Sequence, residues 1–206
     1  MTDVVIQGLL AGYGVAMPVG AIAALIVSLT ARTSLAVGSA AAMGAATADG
    51  IYALLAALSG AALTHVIQPV SGPLRWAAMI ILLFIAGRSA LGALRHYRDP
   101  LVRPERSGLS TPPRAYAGLV GLTLLNPMTI VYFGALVVGL GDQGSLTAGR
   151  AAVFVAAAFA ASASWQLVLA GGGALVGRVL TSPRGRLVTT LAASTVIAVL
   201  SIALVA

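Results

Sequence analysis

Along the chain, polar and charged positions fall into short clusters separated by long apolar runs. Runs with little or no charge lie at about 4–29, 36–62, 74–94, 115–140, 151–177 and 187–206. Each meets the roughly 20 residues needed to cross a hydrocarbon core. The pattern therefore predicts an all-α integral membrane protein with six transmembrane helices. The third run is the least clean, because Arg88 lies inside it. Arg95 follows about two turns later, so the Arg88 side chain can snorkel toward the same interface. Met1-Thr2-Asp3 lacks the positive region of a cleaved leader, and the first run reads as a span.

Composition agrees with this pattern. Of the 206 residues, 59% are hydrophobic and 8% charged, with a mean hydropathy of +1.01. A soluble domain carries about 25% charged residues, and a chain this poor in charge cannot cover itself with a wetted surface. The net charge of +7 does not point to nucleic acid: all twelve basic residues are arginines, most of them in the gaps between apolar runs. Cysteine is absent, which excludes disulfides, thiolate metal sites and cysteine nucleophiles. No metal or cofactor is expected.

The arginines also give an orientation. With six spans, Arg32, Arg95, Arg98, Arg103, Arg106, Arg114, Arg178, Arg184 and Arg186 fall on one side. Arg75 and Arg150 fall on the other, offset by Asp3 and Asp142. The positive-inside rule places both termini outside the cytoplasmic membrane and the 95–114 loop within the cytoplasm. That loop, RHYRDPLVRPERSGLSTPPR, holds five arginines and four prolines. It reads as a basic linker touching anionic lipid, between a first three-helix repeat (1–94) and a second (115–206).

Two repeats of three spans each must be inverted relative to one another. The first helix of each half carries a central proline, Pro18 in AMPVGA and Pro127 in LLNPMT. The second helix of each half carries polar residues at similar depth, Asp49 in ATADG and Ser164-Trp165-Gln166 in SASWQ. Proline removes one N–H and displaces the carbonyl four residues earlier, here those of Gly14 and Thr123. Helices 1 and 4 are therefore expected to be broken, and broken backbone at membrane depth occurs where it packs on protein or lines a wet cavity. Freed carbonyls suit an ammonium group, and helix N-termini suit a carboxylate; an amino acid carries both.

Asp49 has no charged neighbour nearer in sequence than Arg32 and Arg75. Ten of the thirteen residues from Gly38 to Gly50 are Gly, Ala or Ser, a surface suited to close enclosure by other helices. An ionised carboxylate there is costly without a partner. It reads either as a structural group bonded to a neighbouring helix or as a substrate-ammonium or proton site. Tyr52 shares its face and can donate a hydrogen bond. Asn126 can cap a second half-helix or touch substrate, and Trp165 can pack or wall a cavity. Tyr13, Thr129 and Tyr132 are further cavity candidates, while His65 and His96 lie at helix ends. Gly8, Gly12, Ala16 and Gly20 repeat every four residues, and Gly173 and Gly177 match the small-residue packing motif. Either stripe fits internal packing or a homodimer.

With these residues assembled, the chain resembles the LysE/RhtB family of amino-acid exporters nearly end to end. The likeness rests on MPVGAIAALIVSLTARTSLAVGSAAAMGAATADGIYALLAAL (17–58), TLLNPMTIVYFGALVVGLG (123–141) and the SASWQ region. It implies central roles for Pro18, Asp49, Asn126 and Pro127, and export of amino acids driven by an ion gradient; Asp49 read as a proton site makes protons the expected coupling partner. Many members have Pro-Gly-Pro where this chain has Pro18-Val19-Gly20, and Met128 stands where a basic residue is common. Those departures leave the substrate open. No nucleotide-binding element is present, so ATP drive within the chain is excluded. A paired-aspartate or HExxH intramembrane protease lacks its residues, and no enzyme is expected. A channel-type or structural membrane subunit is the alternative.

Overall fold

The structure is a computed structural model that describes residues 1–18, 20–59, 62–98, 108–126, 129, 132–133, 147–179 and 183–203. Its helices are α1 (Thr2–Ala16), α2 (Ala21–Arg32), α3 (Leu35–Ser59), α4 (Ala62–Arg98), α5 (Pro112–Leu124), α6 (Ala148–Val179) and α7 (Pro183–Ile202). No strand occurs among the described residues. Two of these helices are long and apolar enough to cross a membrane by themselves, α3 over Leu35–Leu58 and α6 over Ala148–Gly177. The α1–α2 pair passes as a third, broken span, its two axes 74° apart.

The break follows from the sequence. Met17 is the last residue to bond back into α1, its N–H donating to Tyr13 O at 2.9 Å. Pro18 has no N–H to give Gly14, so the ladder stops. Gly20, with extended backbone (φ −124°, ψ −177°), then opens α2. In α5 the helix begins on two prolines, Pro112 and Pro113, where a missing N–H costs nothing. It ends at Leu124, three residues before Pro127, which lies outside the described residues.

Helix α4 departs from expectation. The apolar run predicts a span from about 74, but the helix starts at Ala62 and continues through His65, Pro69 and Pro73. At 1.5 Å per residue its 37 residues extend about 55 Å, more than the hydrocarbon thickness. Arg88 is exposed on it, its guanidinium 5.8 Å from the centre of the Phe84 ring.

The core holds two apolar clusters. One joins Leu25, Ile26 and Leu29 of α2 to Leu82, Leu119 and Ile197. The other joins Val4 and Ala11 of α1 to Ala53, Phe133 and Phe154. The outer faces are apolar as well: Phe84, Val168, Leu175 and Val188 are all more than half exposed, which suits lipid as the surrounding solvent. Helix α3 is enclosed, as its small residues predict, with Ala41, Ala42, Ala45, Ala46 and Ala48 fully buried. It packs most extensively on α6 and α5.

Both small-residue stripes are used within the chain. A Cβ on Gly8 would lie 2.6 Å from Phe154 O, and one on Gly12 would collide with the backbone of Ala158, so α1 meets α6 nearly backbone to backbone. A Cβ on Gly173 would lie 2.5 Å from Val27 O, and one on Gly177 equally close to Ala31 O, which brings α6 onto α2 the same way. Gly20 has open space around it and serves as the start of α2.

Candidate functional site

Where α1 gives way to α2, the gap is closed by α3, α4, α5 and α6 into a cavity of about 70 Å³. One water needs roughly 10–15 Å³ on the same measure, so the space holds several waters or a small solute. Val15, Ala16, Leu82 and Leu122 supply an apolar wall. Asp49, Thr123, Asn126, Thr129 and Gln166 supply the polar groups. The first turn of α2, from Gly20 to Ala23, forms the remaining side.

Asp49 lies in the middle of α3 and is 3% exposed. Its one hydrogen-bond partner among the described residues is Ser162 of α6, whose hydroxyl donates to Asp49 Oδ2 at 2.6 Å. A carboxylate with a single hydroxyl donor has acceptor capacity to spare. Two further oxygens in the same cavity lack a partner among the described residues: Thr123 Oγ1 and Gln166 Oε1, on residues 3% and 5% exposed. Buried polar atoms without a partner are uncommon and ask for an explanation. No cationic side chain and no second carboxylate line the cavity among the described residues.

The α2 side has the opposite character. No side chain caps the helix, and Ala24 is the first residue to bond back, its N–H reaching Gly20 O at 3.1 Å. The amides of Ala21, Ile22 and Ala23 therefore have no intrahelical acceptor, and they carry the positive end of the helix dipole. The cavity thus offers oxygen acceptors from α3, α5 and α6 and amide donors from α2.

The structure sorts the residues singled out from the sequence. Asp49, Pro18, Thr123, Asn126 and Thr129 line the cavity. Thr123 does so differently from expectation. Its carbonyl, the one Pro127 leaves without a bond from that position, accepts the Asn126 N–H at 3.0 Å, and its hydroxyl is the unpaired group. Tyr52 donates to Leu124 O of α5 at 2.5 Å, not to Asp49, and stacks on Phe133 with centroids 6.1 Å apart. Gly14 lies under the Tyr132 hydroxyl and does not line the cavity, and Tyr132 donates to Leu10 O at 3.4 Å. Trp165 also stands outside the lining, and Tyr13 pairs with Ser164 at 3.0 Å.

Sequence reasoning passed over Ser162 and gave Gln166 no role of its own. Their spacing of four residues is the available signal, because it places two polar side chains on one face of an otherwise apolar helix.

Membrane-length helices, one of them broken beside a buried carboxylate in a polar cavity, define a class: membrane proteins that carry a solute through the bilayer. The chain belongs to the LysE type translocators, whose family model matches residues 14–206. That match takes in every described helix except most of α1. Neither a curated protein nor a solved structure matches the chain.

Proposed function

We propose that the chain is a secondary exporter of amino acids or close derivatives across the cytoplasmic membrane, driven by proton entry through alternating access. One observation carries this reading: a carboxylate whose one partner among the described residues is a serine faces a cavity with spare acceptors on one side and an uncapped helix N-terminus on the other. An amino acid presents an ammonium to the first and a carboxylate to the second. Asp49 holds either a proton or the ammonium group, and binding one disfavours the other. With access alternating between sides, that competition links substrate exit to proton entry.

The reading includes six spans in two inverted repeats, 1–94 and 115–206, joined by the 95–114 loop on the cytoplasmic side, with both termini outside. Packing supports the repeat. Exchanging the halves turns the α1–α6 contact into the α5–α3 contact, and both are extensive; α3–α6 and α4–α7 are each exchanged into themselves. Asp49 and Ser162 each lie fourteen residues after the first residue of their helices, Leu35 and Ala148, and they bond to each other. The two breaks correspond too, since α1 and α5 each stop just before a proline.

Counterflow in proteoliposomes tests the function. Vesicles preloaded with an unlabelled amino acid should take up the labelled one transiently above its equilibrium level, and an acid interior should drive accumulation in inside-out vesicles. Passive equilibration with neither effect would identify a channel. For orientation, a single cysteine at Ser110, in a chain that has none, should react with an impermeant thiol reagent only after the cells are opened. Labelling of intact cells would reverse the topology.

A further inference from the structure

Thr123 Oγ1 and Gln166 Oε1 are buried without partners among the described residues, and both residues line the cavity with Asp49. They come from α5 and α6, while Asp49 comes from α3. The backbone in this corner is already engaged: Leu124 O accepts from Tyr52 and Thr123 O from Asn126. Spare accepting capacity is seen on the side chains of Asp49, Thr123 and Gln166, and no cationic side chain lines the cavity among the described residues. Three acceptors and no fixed cation match a primary ammonium, which has three N–H donors and no acceptor. A carboxylate placed beside Asp49 would meet like charge.

We infer that Thr123 and Gln166 complete, with Asp49, a three-oxygen cradle for the ammonium group of the solute, and that the solute is an amino acid with a small uncharged side chain. The first part explains why two polar atoms stay unpaired in a buried place. The second follows from the rest of the lining: Val15, Ala16, Leu82 and Leu122 are apolar, Asn126 and Thr129 are neutral, and among the described residues there is neither a second carboxylate for a basic side chain nor a cation for an acidic one. The about 70 Å³ of space favours a short side chain as well. This inference rests on the exporter reading and narrows it.

The test is the thermal unfolding of the purified full chain with five probes: L-alanine, L-alaninol (ammonium only), L-lactate (carboxylate only), L-lysine and L-glutamate. Alanine and alaninol should raise the unfolding midpoint with saturation, and lactate should not. Lysine and glutamate should need at least tenfold higher concentrations than alanine. Gln166→Met and Thr123→Val should each raise the half-saturating alanine concentration at least tenfold. Gln166→Glu, which keeps the oxygens and loses the amide N–H groups, should retain binding.

Lactate binding as well as alanine, wild-type affinity in both Met and Val variants, or loss of binding in Gln166→Glu would overturn the cradle. Tighter binding of lysine or glutamate than alanine would overturn the side-chain assignment. The comparison of probes on the wild type needs no variant to fold. If no probe binds, the inference fails, and counterflow decides separately whether the exporter reading fails with it.

Discussion

Helix α6 has two faces that solve different problems. Toward α1 and α2 it is a dry seam, where Ala158 lies against Gly12 and Gly173 and Gly177 lie against the backbone of α2. Toward α3 and the cavity it presents Ser162 and Gln166, one bonded to a carboxylate and one with an oxygen unpaired among the described residues. In a bilayer, apolar burial does little to pull helices together, so close backbone approach holds the seam. The cavity face also packs closely on α3, but it carries polar atoms without a partner among the described residues, a cost that close packing offsets. On the exporter reading, transport depends on the cavity residues of this helix, while its seam with α1 and α2 depends on others a turn or more away.

That separation can be broken from either side. The largest effect on folding belongs to Gly12→Leu. A side chain there cannot enter without driving α1 away from Ala158, and overpacking of this kind costs about 1–3 kcal/mol or more. The variant should lose the monodisperse peak in size-exclusion chromatography; a normal profile would mean that the seam is looser than the structure has it.

Ser162→Ala comes next, because it strips Asp49 of its hydroxyl donor. A loss of roughly 1–3 kcal/mol is expected for a buried group left without a partner, read as a lower unfolding midpoint, and Ser162→Thr should restore part of it. An unchanged midpoint in the alanine variant would show that Asp49 does not depend on Ser162.

Tyr52→Phe sharpens the contrast with the smallest change. It removes the donor to Leu124 O but keeps the ring on Phe133, so a cost of about 1 kcal/mol is expected, with substrate half-saturation unchanged. A large shift in half-saturation would move Tyr52 into the binding site.

Much of this arrangement is legible in the sequence because the bilayer penalises irregularity. A proline in the first apolar run and a solitary carboxylate in the second both stand out against their surroundings, and both line the cavity. What stays hidden is set by partners distant in the chain. Ser162 is one of several serines in apolar helices, and only its contact with Asp49, 113 residues away, distinguishes it. The proline rule names Thr123 for its carbonyl, but the Asn126 amide folds back onto that oxygen and leaves the hydroxyl as the unpaired group. Trp165 attracts notice by its rarity, yet it stands outside the cavity lining, whereas Gln166, one residue on and about 100° around the helix, lies in it. The start of α4 is hidden in another way: His65 reads as a helix end and Pro69 and Pro73 fall between two apolar runs, yet the backbone is helical through all three.

The central claim is that Asp49 exchanges a proton for the ammonium group of the solute. Asp49→Asn keeps the shape and removes the titration, so gradient-driven transport in this variant tests the claim most directly. Reconstituted Asp49→Asn should insert and unfold like the wild type, yet accumulate no labelled amino acid when a pH gradient is imposed. Accumulation at the wild-type rate, with the same dependence on the gradient, would show that Asp49 is a structural carboxyl and that coupling resides elsewhere.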